Sequence, residues 1–421
     1  MSERVPLRER LAFAGGDTGF NFVWQTVEIY LLFYYVRILG LPPGRAAGIF
    51  LAGAVVDLLA DPLIGALVDR FRRRISARVW MLLAGPPLGM TLALAFYAPP
   101  LSGIRLTLFL AATHLLLRAA YSLGNIPYAT LTSRISSEPL EQMRLTSIRM
   151  QGAAFGGLIA ALVYFAFPLS AQTRGMPAGA IILGLAAQPL FLGTCAGVRE
   201  RVVPPGDALA QGSGEWRGIG DLLRGSSVLR RLLCVILFAG LAITAVNKGI
   251  LFVFDRLDEQ KWGYGAAIFP ALALFIGAPT WSALASRIGR GQVLRAAMIL
   301  HLVAITIALV AGSHLILTAA MLALAIFASG GVSTMFWAIV PSVIEACEAD
   351  LARNGCAARI YGLSNLARKL GQALAPQVVA LSLAFSGGSV LPGMAASAAI
   401  ALVIIYLAAP RPGEVRTVVA S

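Results

Sequence analysis

Runs of about twenty apolar residues recur along the whole chain, and each is close to the roughly 20 residues that a helix needs to cross hydrocarbon. Twelve are read, at about residues 11–36, 46–68, 79–98, 104–131, 146–167, 177–198, 231–254, 265–286, 293–312, 315–341, 360–385 and 388–409. Lipid offers no hydrogen-bond partner to the backbone, so a spanning segment must satisfy its own N–H and C=O groups, which an α-helix does. Composition agrees. Of the 421 residues, 58% are hydrophobic and 13% are charged, against about 25% charged in a soluble domain. The expected fold is an all-α membrane protein with twelve transmembrane helices.

A net charge of +14 could suit nucleic acid, but the charge is distributed as a membrane protein distributes it. With both termini cytoplasmic, 26 of the 34 Lys and Arg fall on inner segments, 6 fall in outer loops, and Arg118 and Lys248 fall within helices. That is the positive-inside pattern. It predicts a multi-pass protein of the plasma (inner) membrane, embedded in the lipid bilayer, with no nucleic-acid partner. Residues 1–10 are short and basic, and the run behind them is too long for a leader and lacks a small-residue cleavage site. The first helix is therefore expected to be retained. Cys195, Cys234, Cys347 and Cys356 have no metal or redox spacing, so no metal site and no cofactor are expected.

The longest polar interruption, 199–230, is rich in Gly, Pro and Arg. It reads as a cytoplasmic linker between an N-terminal half, 1–198, and a C-terminal half, 231–421. The halves repeat. Asp61–Arg73 aligns with Ala278–Arg290 at a constant offset of 217, with Pro62 on Pro279 and Arg70 on Arg287. Two six-helix pseudo-repeats are the architecture of the major facilitator superfamily. At the same offset Asp57 falls on Leu274 and Asp61 on Ala278. The fold repeats but the acids do not, which points to function.

Asp57 and Asp61 lie four residues apart, one helical turn, on one face of the second run. Carboxylates within hydrocarbon are costly and face an interior cavity. Gly65, Asp69, Arg70 and Arg73 follow at the cytoplasmic end, where a cluster this basic marks the membrane boundary and supplies a candidate gate. Other spans carry polar stripes: Asp17, Asn21, Trp24 and Glu28 on the first; His114, Arg118, Tyr121, Asn125 and Tyr128 on the fourth; Tyr361, Asn365, Lys369 and Gln372 on the eleventh. Thr244, Asn247 and Lys248 sit near the middle of the seventh. A polar face in a bilayer must look at protein or water, so converging stripes would line one aqueous cavity. Each of these residues could instead hydrogen-bond between helices, Arg118 and Lys248 could be structural ion-pair partners, and Glu28, near the outer end, could be solvated.

At these positions the chain resembles the glycoside–pentoside–hexuronide:cation symporters, the melibiose-carrier branch of the superfamily. The likeness is carried by Gly15-Gly16-Asp17-Thr18-Gly19, Asp57-x-x-x-Asp61-Pro62-x-x-Gly65 with Asp69-Arg70, Asn125-Ile-Pro-Tyr, Leu145–Met150, Phe336-Trp337 and Arg368-Lys369-Leu-Gly-Gln. The resemblance implies that Asp57 and Asp61 hold the coupling cation, with Ser122 as a hydroxyl ligand and Lys369 close by. It implies that Asp17 holds sugar hydroxyls, that Arg149 supports that carboxylate, and that Trp337 lines the cavity. Trp24, Tyr121, Asn125 and Asn365 join the candidate substrate contacts from their stripes.

The departures narrow the expectation. Asn125 stands where melibiose-type members have a second acid, and Ala129 where they have a stacking tryptophan, which argues against a galactoside. Ala60 replaces the amide that precedes the second acid in sodium-selective members, which favours a proton as coupling ion over sodium. The reading is a non-enzymatic secondary transporter, acting as a monomer, that carries a small-molecule sugar or glycoside with a cation by alternating access. The alternatives are a cation-coupled carrier of a non-sugar amphiphile and a non-transporting membrane sensor.

Overall fold

The computed structural model describes residues 4–71, 74–166, 172–202, 220–350 and 357–409, and every regular element among them is helical. The chain forms two compact units. The first comprises 1–206 with 263–271, and the second 207–262 with 272–421.

In the first unit α1 spans Leu7–Gln25 and runs on through two π-helical stretches, Thr26–Leu31 and Tyr34–Ile38. Gly40, at a φ of 67°, ends the climb in the left-handed region that favours glycine. Pro43 then opens α2, where its missing N–H has no helical partner to lose. The unit continues as α2 (Pro43–Phe71), α3 (Ala77–Ala95), α4 (Gly103–Ile135), α5 (Pro139–Ala166) and α6 (Gln172–Gly197). In the second unit α7 (Ser227–Arg256) is N-capped by Ser226, whose hydroxyl accepts from the Leu229 amide at 3.3 Å. Short helices α8 (Gln260–Ala266) and α9 (Phe269–Leu272), whose residues 263–271 belong to the first unit, lead through a π turn, Ala273–Gly277, into α10 (Ala278–Ile288) of the second. Four long helices follow: α11 (Arg290–Ala311), α12 (Leu315–Asp350), α13 (Ala357–Phe385) and α14 (Leu391–Ala408).

The packing of the two units repeats as the sequence does. In the first, α1 lies on α5 and α6, α3 on α4 and α6, and α2 on α4. In the second, α7 lies on α13 and α14, α11 on α12 and α14, and α10 on α12. Equivalent pairs also approach closely by the same means. A Cβ on Gly156 of α5 would stand 2.6 Å from the Thr18 carbonyl oxygen of α1. In the equivalent pair, a Cβ on Gly371 of α13 would run into the Leu237 carbonyl of α7. Lipid tails are as apolar as leucine, so helices associate by packing, and small residues let their backbones meet.

Among the described residues nine helices are long and apolar enough to cross a membrane, or ten if the pair Gln260–Gly277 and Pro279–Ile288, bent by 46°, is one span. The remaining two of the twelve expected spans correspond to α1 and α13. Both carry polar stripes, and the charges Arg8, Glu9, Arg10 and Asp17 on one and Arg359, Arg368 and Lys369 on the other lower their apolar character. Large apolar side chains such as Leu59, Leu63, Leu185, Val310 and Leu407 point outward, as lipid contact requires.

Candidate functional site

The polar side chains of the first unit gather in two connected groups. Asp17 is buried at mid-α1, and Arg149 of α5 reaches it, its Nε donating to Oδ1 at 3.2 Å. The register of the two helices is held at this level by Thr18, whose hydroxyl donates to the Gly152 carbonyl at 3.0 Å. The Asn21 amide donates to the Asp17 carbonyl at 2.9 Å. The Arg149 guanidinium lies 5.2 Å from the centre of the Tyr128 ring, on whose face a cation is attracted. That ring is anchored by its hydroxyl, which donates to the Phe13 carbonyl at 2.7 Å.

The second group is a ladder between α2 and α4. Arg118 grips both oxygens of Asp57, with Nε 3.0 Å from Oδ1 and Nη2 on Oδ2. One turn on, the Ser122 hydroxyl donates to Asp61 Oδ1 at 2.7 Å. One turn back, Gly53 faces His114, and a Cβ there would stand 2.7 Å from the imidazole Nε2. Residues four apart on one helix meet residues four apart on the other, so α2 and α4 run in the same direction and in register. Above the ladder the Arg118 guanidinium lies 4.9 Å from the centre of the Trp24 ring. Trp24 packs on Tyr121 with centroids 5.2 Å apart, and Tyr121 packs edge-on against Phe20 at 5.6 Å. Tyr121 is within electrostatic reach of both guanidinium groups, so it links the two groups of the site. Asn125, half-buried on α4, lies one turn beyond.

The second unit holds its own polar residues. Trp337 of α12 stacks on Tyr361 of α13 with centroids 6.5 Å apart. Asn365 accepts from Arg368 at 2.9 Å, and Arg368 also donates to Gln372 at 3.1 Å, so this part of the α13 stripe is satisfied along its own helix. Lys369 is half-buried beside them, and Lys248 is buried in α7. At the end of α2, Gly65 is half-buried and Arg70 exposed. Arg73 and the side chain of Asp69 lie outside the described residues.

Two features decide what the sequence reading left open. Glu28, open there to being solvated near the outer end of the first helix, is buried, and it lies within electrostatic reach of Arg118. It sits in the first π stretch, where the wider turn rotates the residues that follow relative to an α-helical register. Arg118 itself, left open there between an ion-pair and a cavity role, is the direct ion-pair partner of Asp57. The signal was present: Arg118 and Ser122 repeat the four-residue spacing of Asp57 and Asp61.

The comparisons with known proteins agree with this architecture. Among solved structures, a mutant of the nucleoside transporter NupG superposes with a TM-score of 0.72 at 13% identity, covering 95% of this chain and 98% of its own. A bacterial homolog of the human lysosomal transporter Spinster superposes at 0.69 with 16% identity, covering 96% of each chain. At these identities the likeness speaks for the fold alone. In sequence, the chain is 28% identical over 411 residues to a protein of Bacillus subtilis named "Uncharacterized symporter YnaJ", covering 93% of this chain and 83% of that one. It is 25% identical over 205 residues to the "Isoprimeverose transporter" of Lactiplantibacillus pentosus, covering 47% of this chain and 43% of that one. The family described as "MFS/sugar transport protein" matches residues 12–413, and the chain therefore belongs to it: a multi-pass, non-enzymatic membrane transporter of the major facilitator superfamily, in its glycoside–pentoside–hexuronide:cation symporter family.

Proposed function

We propose that the chain is a secondary active symporter that carries a sugar or glycoside together with a proton. The observation that carries this reading is the adjacency, inside one unit, of a carboxylate–guanidinium pair, Asp17 with Arg149, and a two-carboxylate ladder, Asp57 and Asp61. The first offers charged hydrogen-bonding groups suited to hydroxyls. The second offers two acids on a membrane helix, Asp57 buried and Asp61 half-buried, and such acids mark ion or proton pathways. The matched family and the sugar named for the Lactiplantibacillus relative support a sugar-type substrate. A hard metal cation is held by a shell of oxygen ligands, and Ala60 contributes no side-chain oxygen beside Asp61. A proton needs one carboxylate.

In this reading the halves 1–198 and 231–421, joined by a cytoplasmic linker at 199–230, alternate access to the two sides. Asp17, Arg149 and Asn125, with Trp24 and Tyr121, take the substrate from the first half, and Trp337 and Asn365 from the second. Asp57, Asp61 and Ser122, with Lys369, serve the coupling ion. Gly65, Asp69, Arg70 and Arg73 act at the cytoplasmic mouth. Both termini are inside, and the monomer is the working form.

The test is uptake into proteoliposomes with the proton and sodium gradients imposed separately, over a panel of mono- and disaccharides. Accumulation driven by an inward proton gradient and indifferent to sodium is the expected result. Strong sodium stimulation at constant pH would remove the proton, and failure to accumulate any sugar under either gradient would remove the symport of sugars.

A further inference from the structure

We propose that Arg118 is a resident cation of the carboxylate pair: a tethered positive charge that holds the place on Asp57 a metal ion would need, and so keeps metal cations out of coupling. The inference rests on the symport reading and adds to it the residue that sets the choice of ion.

Four observations describe a seat built for this side chain. The guanidinium covers both oxygens of Asp57, a two-pronged contact that uses the fork geometry of arginine and fixes its orientation. Gly53 leaves room for the stem, since a Cβ there would stand 3.3 Å from Arg118 Cγ. The Trp24 ring lies 4.9 Å from the guanidinium carbon, a position in which an aromatic face stabilises a cation. Glu28, a second buried acid, lies within electrostatic reach. Two carboxylates, an aromatic face and a glycine-made channel thus converge on one positive charge.

Arginine does not give up that charge in proteins. It therefore acts as a permanent occupant of Asp57. A metal ion approaching the pair would meet a like charge at contact distance in a medium of low polarity, where repulsion is poorly screened. Removing the charge while keeping the volume would leave the oxygens of Asp57, Asp61 and Ser122 on two neighbouring turns, the kind of hard donor set that holds an alkali cation. If Arg118 served only to neutralise a buried acid, its loss would weaken the fold but create no preference for sodium.

The experiment uses the purified full chain and reads thermal unfolding in sodium chloride against choline chloride, at one pH and one ionic strength. The wild type and Arg118→Lys, which keeps the charge, should unfold alike in both salts. Arg118→Gln should gain a sodium-dependent rise in Tm of about 3 °C at sodium a hundredfold above its dissociation constant. Adding Asp57→Asn to Arg118→Gln should abolish that rise. A folded Arg118→Gln that ignores sodium overturns the inference, as does a wild type that responds to sodium as strongly as the variant. If Arg118→Gln cannot be recovered in choline, recovery in sodium or lithium supports the inference, and loss in all three salts overturns it. Proton-driven uptake by the wild type, measured separately in vesicles, tests the symport reading alone. Its absence removes that reading, while the sodium shift of Arg118→Gln still decides the role of the arginine.

Discussion

Ser122 donates to Asp61 at 2.7 Å across the same 61-residue separation that puts Arg118 on Asp57. The two acids of α2 are therefore distinguished by their partners on α4: one meets a permanent cation, the other a neutral hydroxyl. A pair that looks symmetrical in sequence is chemically unequal in the fold, and substitutions of its members should differ.

Asp57→Asn and Asp61→Asn should each abolish accumulation of substrate against a gradient. At least one, and on this geometry Asp61→Asn, should still exchange substrate in counterflow. Asp57→Asn removes the ion-pair partner of Arg118, and breaking a buried pair costs on the order of 3–5 kcal/mol. Asp61→Asn keeps a side-chain oxygen that can still accept from the Ser122 hydroxyl and should unfold closer to the wild type. Counterflow in proteoliposomes and thermal unfolding in detergent read the two effects. Accumulation that survives both substitutions would take the coupling role away from this pair.

Asp17→Asn should weaken substrate affinity while the protein still inserts and folds. A hydrogen bond to a charged group contributes about 1.5–3 kcal/mol, or roughly a 10- to 150-fold change in affinity. Arg149→Gln should weaken it as well, because Arg149 Nε holds Asp17 Oδ1 at 3.2 Å. Direct binding on purified protein, with the substrate found in the sugar panel, checks both. Unchanged affinity in Asp17→Asn would remove it from the substrate site.

Gly156→Ala should destabilise the first unit by about 1–3 kcal/mol, the usual cost of forcing atoms into a packed interface. The added Cβ would lie 2.6 Å from the Thr18 carbonyl oxygen and 2.9 Å from Asn21 Cβ, so α1 and α5 would have to part beside Asp17. Gly193→Ala in α6 is the control, since nothing lies within 4 Å of its added carbon and alanine favours a helix. Thermal unfolding should separate the two, and equal midpoints would contradict the close approach of α1 and α5.

In the first turn of α1, Glu9 accepts from the Arg199 amide at 2.9 Å and from Arg201 at 2.8 and 2.7 Å. Burial works against its charge, but the contacts with Arg201 and the Arg199 amide outweigh burial and hold the carboxyl below its ordinary range. A carboxylate lowered in this way stabilises the fold above its unfolded pKa and loses that contribution as pH falls through the folded one. Glu9→Gln should therefore unfold earlier than the wild type at pH 7. The gap should close as pH is lowered through and below the ordinary carboxylate range. A gap that persists unchanged into acid would assign the contact to packing.

Much of this protein was legible before any coordinate. Hydrophobic runs of spanning length, the positive-inside count, the 217-residue repeat around Pro62 and Pro279, and the spacing of Asp57 with Asp61 are all local or periodic signals. They follow from helix geometry and from the cost of polarity in lipid. The pairing of side chains was not legible. A helical stripe says which residues share a face, but which helix that face meets, and in what register, is decided by packing between segments far apart in the chain. Gly53 opens the path for Arg118, Thr18 and Gly152 set the level at which Arg149 finds Asp17, and Glu28 is buried within a π stretch. The sequence by itself determined the membrane class, the internal repeat and the list of polar residues. Only the tertiary structure decided that one acid of the pair is already occupied by an arginine, because the partner of a buried charge is chosen by the fold.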